Sequence, residues 1–146
     1  MGRNNEYSRH MNFVPAGDII GEEHQVRTVG IAQSPQLPDG EYGFVDTYCT
    51  DPHCDCRKTM IQVMHDGRFV ALINYGWESS SFYRKWMGDD ANVPPMAGPS
   101  IDITSPDLVS RDGVLGLFRA LLNEEWKTRF RHHYTLVKAR LAESSQ

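Results

Sequence analysis

Cys49, Cys54 and Cys56 fall within eight residues of one another in YCTDPHCDCRK, residues 48–58, and two cations, Arg57 and Lys58, follow at once. Thiols at this density have three ordinary fates: a disulfide, a redox-active site or a metal site. An odd number cannot pair off internally, and a Cys54–Cys56 bridge would close a very tight ring. A lone free cysteine is often just a small buried hydrophobe, a description that does not suit three in a turn-rich loop. The spacing C-x4-C-x-C therefore reads as a metal loop at 49–56, with redox-active thiols as the competing chemistry.

Zinc is the ion expected. It favours thiolate sulfur at about 2.3 Å in tetrahedral structural sites, including those built from three cysteines and one histidine. Iron–sulfur clusters are also held by thiolates and are the other option. Asp51-Pro52 favours a turn that returns Cys49 toward the other two sulfurs, and Arg57 and Lys58 would temper the charge of three thiolates. A fourth ligand must come from elsewhere, and the chain has six histidines. His10 lies in the N-terminal arm, His53 is trapped beside Cys54, and His65 sits at the far end of its strand. His24 stays open. His133 is the expected fourth ligand because it projects with Trp126, Phe130 and Val137 from one face of the last helix, whereas His132 points away from it. Water in that position would instead define a catalytic zinc, with Asp46, Asp51, Asp55 and Glu78 as nearby carboxylates. Asp51 and Asp55 are also natural turn residues. Three thiolates make zinc a weaker Lewis acid, so the structural reading leads.

These side chains need elements to position them. After Pro38-Asp39-Gly40, EYGFVDTYC predicts a strand over 41–49 that delivers Cys49 at its end. KTMIQVMH and RFVALINYG flank Asp66-Gly67, the signature of a type I′ hairpin turn, and predict a hairpin over 58–76. SSSFYRKWMG predicts a short serine-capped helix stopped by Gly88, Asp89–Ser100 a long loop, and residues 100–104 an edge strand. From Asp112 or Gly113 to about Ala142 the apolar period is helical, with Ser110 or Asp112 as N-cap. Its apolar face swings near Asn123-Glu124-Glu125, so the helix either bends there or meets two neighbours. Residues 1–40 give no sustained period and read as an irregular arm with a short strand near Gln25–Ala32. The expected fold class is thus α+β: a small antiparallel sheet covered by a short helix and a long, bent C-terminal helix, with 41–146 as a single domain.

The chain has 146 residues, 40% of them hydrophobic and 23% charged, enough to bury one core without disulfides as the main support. No apolar run approaches the roughly 20 residues of a membrane span, and the first residues lack the apolar stretch of a signal peptide. A cytoplasmic setting is expected, where thiols stay reduced unless a metal or redox cycle claims them. The net charge of −4 argues against whole-molecule affinity for nucleic acid. The basic C-terminal helix keeps that alternative in view, since Lys127, Arg131 and Lys138 share one stripe, though surface cations on an amphipathic helix are usually its solvated face. Tyr75-Gly76-Trp77-Glu78 with Phe82, Tyr83 and Trp86 would line a ligand pocket or simply pack. No nucleotide, hydrolase or zinc-protease motif occurs. The sequence points to a zinc-binding interaction module with a protein partner or self-association. It ranks behind this an enzyme whose zinc has three cysteine ligands and a water, and a nucleic-acid binder.

Overall fold

The computed structural model describes residues 13–21, 26–87 and 96–144. His10, His24 and most of the expected 89–100 loop lie outside them. In chain order the elements are β1 (Phe13–Pro15), α1 (Gly17–Ile20), β2 (Arg27–Ile31), β3 (Gly40–Cys49), β4 (Lys58–His65), β5 (Arg68–Gly76), α2 (Ser80–Met87), β6 (Gly98–Ile101), α3 (Arg111–Leu121) and α4 (Glu124–Ser144). The six strands form one antiparallel sheet in the order β1-β3-β4-β5-β6, with β2 also paired to β3. This is the expected α+β class.

The expected hairpin is present. Asp66 and Gly67 both adopt positive φ, 48° and 85°, as a type I′ turn requires. The ladder then runs from His65↔Arg68 to Lys58↔Gly76 with one irregularity between Val63 and Met64. Gly76 ends β5 where no side chain fits: a Cβ there would lie 2.3 Å from the Met96 carbonyl oxygen and 2.5 Å from the Tyr83 hydroxyl. That closeness brings Ala97 into a bridge with Gly76, so the edge strand starts at Gly98, earlier than the expected 100–104. It ends at Ile101, beyond which the Asp102 N–H still donates to the Leu72 carbonyl at 2.9 Å.

Strand alternation sorts the sheet into two faces. Tyr42, Phe44, Ile61, Val63, Ala71, Ile73 and Tyr75 pack with Val114 and Phe118 of α3 and Trp126 and Phe130 of α4 to form the main core. The aromatic rings meet mostly edge-on or tilted, with Phe44–Trp126 centroids 5.5 Å apart and Tyr75–Phe130 5.8 Å apart, the arrangement ring quadrupoles favour. The swing in the C-terminal apolar face is a break. Ser110 caps α3 by accepting from the Gly113 N–H at 3.0 Å, and Asn123 caps α4 by accepting from the Trp126 N–H at 2.9 Å. Glu124 and Glu125 fill the first turn of α4, where acids suit the helix dipole.

Within the arm expected over 1–40, the short strand expected near Gln25–Ala32 is present as β2 (Arg27–Ile31), and the rest is corrected by a further strand, β1, and a helical turn, α1. β1 pairs β3 through Phe13↔Cys49, β2 pairs its other end through Arg27↔Phe44 to Ile31↔Gly40, and Ala16 and Ile20 bury against Tyr48 and Val137 of α4. The three residues of β1 and the four of α1, set among glycine and proline, leave no readable period, which is why the sequence concealed them. Among the described residues no helix is long and apolar enough to cross a membrane.

Candidate metal centre

β3 ends at Cys49 and β4 begins at Lys58, so the intervening loop must reverse the chain within eight residues. Asp51 starts the turn. Its carboxylate accepts from the His53 N–H at 2.9 Å and its carbonyl accepts from the Cys54 N–H at 3.2 Å, the local competition with regular structure expected of an aspartate. The loop closes at Arg57, which takes φ 47°, a left-handed conformation uncommon for a residue with a side chain. Neighbours hold it there. The Tyr83 hydroxyl donates to the Arg57 carbonyl at 2.7 Å, while the Arg57 N–H faces the Tyr134 hydroxyl at 3.4 Å. The guanidinium bonds both oxygens of Asp55 at 2.9 and 3.0 Å, reaches Glu78 at 3.5 Å and lies 4.5 Å from the Phe82 ring centre.

The outcome is a cluster. The sulfurs of Cys49, Cys54 and Cys56 all lie within 4.8 Å of one another, Cys49 and Cys56 buried and Cys54 half-buried. All three are free thiols. Their protons are shared. Hydrogen bonds from the Cys54 and Cys56 thiols hold Cys49 far below the ordinary thiol range, and the same bonds push Cys54 and Cys56 up. One negative charge is easily held in this group and a second or third is resisted. A cation among the sulfurs reverses that balance, since metal-bound thiols deprotonate outright. The donor set and spacing suit a thiophilic ion such as zinc.

The helix contribution comes from residues the sequence did not single out for this role. Lys138 of α4 donates to the Cys49 carbonyl at 3.0 Å and the Asp51 carbonyl at 2.7 Å, clamping both ends of the turn. Tyr134 sets its hydroxyl 3.4 Å from the Cys54 carbonyl and 3.3 Å from Asp55, with its ring edge-on to Trp77 at 5.2 Å. Burial pushes the Tyr134 hydroxyl above its usual range and that of Tyr83 to about 12, so both remain proton donors. Arg57, expected to offset thiolate charge, instead serves Asp55 and Glu78, and Asp55 is held below the usual carboxylate range mainly by its bond to Arg57. Lys58 is the buried cation of the site. Desolvation holds its proton affinity below that of an ordinary lysine, and the charge of the nearby cysteines and Asp102 offsets this only in part.

The expected fourth ligand is elsewhere. His133 faces inward as the helical period requires, while His132 is exposed. Its Nδ1, however, lies 2.7 Å from Asp46 Oδ2, and the Tyr48 hydroxyl donates to that same oxygen at 2.7 Å. All three side chains are buried. His133 therefore belongs to a polar network under the sheet, and Asp46 is spent in it. Periodicity gave the inward direction of His133 correctly, but the face it enters is that of Tyr48, whereas Cys49, one residue on, points to the other. Of the remaining histidines, His53 is exposed, and His65 bonds the Asp39 carbonyl at 2.9 Å at the opposite end of the hairpin. Among the described residues no fourth His, Cys, Asp or Glu ligand atom joins the three sulfurs.

The aromatic concentration around Tyr75 to Trp86 divides between core and loop support. Tyr75 and Tyr83 are buried, Trp77 and Phe82 brace Tyr134 and Arg57, and Trp86 is exposed. The basic stripe is largely engaged: Lys127 pairs with Glu124 at 3.4 Å, Arg131 reaches Thr128 at 3.5 Å and Lys138 holds the loop. No protein-family model, curated protein or solved structure matches the chain.

Proposed function

We propose that the chain is a zinc-binding domain in which Cys49, Cys54 and Cys56 hold a structural ion that pins the 50–57 loop to the sheet and to α4, and that the domain acts by binding a protein partner or a second copy of itself. The observation that carries the metal reading is the convergence of three thiol sulfurs within 4.8 Å. The loop's framing favours a structural role, because its carbonyls and N–H groups are tied by Lys138, Tyr134 and Tyr83, and the ion would complete a cross-link already half made. Trp86, Ile103 and Leu108 expose apolar surface suited to protein contact. Engagement of Lys127 and Lys138 within the fold weighs against nucleic acid. Elemental analysis of protein purified without added metal tests the proposal. One zinc per chain is expected, and less than about a tenth of an equivalent of any transition metal overturns it, because apparent structural-site affinities of roughly 10 to 16 kcal/mol survive purification.

An enzyme whose zinc is held by the three cysteines and a water is the second reading, favoured by the lack of a fourth ligand atom among the described residues. X-ray absorption on the loaded protein separates the two. Three sulfurs plus one exchangeable oxygen supports catalysis, whereas a nitrogen or a fourth protein ligand supports the structural role.

A further inference from the structure

Lys58 is a buried ammonium with no carboxylate in contact among the described residues. Only 6% of the residue is exposed, and its Nζ contacts Asn74 Oδ1 at 3.1 Å, the sulfurs of Met60 and Met96 at 3.9 Å each, and the face of the Phe13 ring at 5.3 Å. Neutral acceptors and soft sulfur solvate a charge poorly, and a buried charge is retained only where something compensates it. Among the described carboxylates Asp102 acts on it, and does so without contact. The counter-charge lies at the end of the ladder. The β3–β4 pairing ends at Thr47↔Met60, and Cys49 and Lys58 each stand two residues beyond that pair, on the same face of their strands. Across the other edge of β3, Phe13, whose ring lies under the Lys58 ammonium, pairs with Cys49, and the charge of the three cysteines acts on Lys58. Cys56 precedes Lys58 by two residues.

We propose that Lys58 is the charge-setting residue of the metal centre: its ammonium is the fixed counter-ion of the zinc–thiolate group and favours a divalent ion held by three thiolates. The inference rests on the metal reading above. Three thiolates and a divalent cation carry one net negative charge, and one buried ammonium cancels it. Asn74 orients that ammonium, and the Asn74 amide is itself fixed by donating to the Met96 carbonyl at 3.1 Å. Arg57, adjacent in sequence, has its charge satisfied by Asp55 and Glu78 and does not share the role.

The test measures zinc affinity by competition with a chromophoric chelator in the parent and in Lys58→Met, Asn74→Asp and Lys127→Met, with circular dichroism confirming the fold of each. Lys58→Met keeps the length and apolar stem of the side chain and removes the charge. Asn74→Asp keeps Lys58 and gives its ammonium a closer carboxylate, so the proposal stays testable if the methionine variant fails to fold. Both are expected to weaken zinc binding by about tenfold or more, the range for lost outer-sphere partners, with Lys127→Met, at the Glu124 pair on the surface of α4, within about threefold of the parent. Affinities unchanged in both Lys58→Met and Asn74→Asp overturn the role of Lys58 and leave the metal reading intact. An equal loss in Lys127→Met overturns it too, by showing that removal of any cation weakens binding. A parent that binds no zinc overturns both.

Discussion

The cysteines and histidines make separable predictions at the level of single side chains. Cys54→Ser or Cys56→Ser replaces a soft thiolate by a hydroxyl that does not ionise near neutrality, and metal content is expected to fall below half of the parent value by elemental analysis, with a lower melting temperature. His133→Ala acts in another way. It withdraws a partner from the buried Asp46 carboxylate, 2.7 Å away, and a hydrogen bond to a charged group is worth about 1.5 to 3 kcal/mol. Urea unfolding should therefore show a loss of that order, with zinc content unchanged and the exposed His132→Ala indistinguishable from the parent. Parallel loss of zinc in His133→Ala would return that residue to the metal centre. Acid should release the ion, because protons compete for the thiolates. On the zinc reading, the stabilisation the ion supplies is expected at neutral pH and expected to disappear as pH falls.

Elements decide whether those side chains meet. The loop depends on α4 as well as on its own turn, so Lys138→Met, which frees the Cys49 and Asp51 carbonyls, is expected to speed amide hydrogen exchange across residues 50–57 more than at β4 or β5. Uniform exchange across all three would contradict the clamp. How far the sequence foretold this arrangement depends on the kind of signal. The hairpin, the 41–49 strand and the Ser110 cap were legible because Asp66-Gly67, alternation and capping are local chemistry. Asn123 stood in plain view at the swing of the apolar face, yet a capping asparagine and a polar surface residue look alike until the helix break is seen. Lys138 and Tyr134 were visible as a basic stripe and an apolar one. That both turn toward the loop is a fact about how α4 lies on the sheet, which no spacing encodes. His133 failed for the same reason: a helical period gives inward or outward, not which side of a strand is entered.

For the molecule as a whole, the proposed zinc, bound only to the folded chain, would add to stability by mass action. Free zinc a thousandfold above its dissociation constant contributes about 4 kcal/mol, and at about 2 to 4 °C per kcal/mol for a chain of this size, chelation should lower the melting temperature by roughly 10 °C. An unshifted melt after complete metal removal would move the centre from structural to catalytic or redox duty. Nucleic-acid binding is the wider test. If Lys127, Arg131 and Lys138 met phosphates, affinity would fall with salt at a log–log slope of nearly one per contact. No submicromolar binding of single- or double-stranded RNA or DNA is expected at physiological salt, and its appearance, lost when those residues become Glu, would reverse the order of the readings.

The packing of Ala16 and Ile20 onto Tyr48 and Val137 also has a temporal side. A ribosome delivers Ala16 first and Val137 more than a hundred residues later, so the apolar face of α1 emerges long before α4 exists to cover it. The β3–β4–β5 meander, built from neighbouring segments, can form as it leaves the exit tunnel. The early segment must wait, and the nascent chain carries an uncovered apolar flap until α4 has been made.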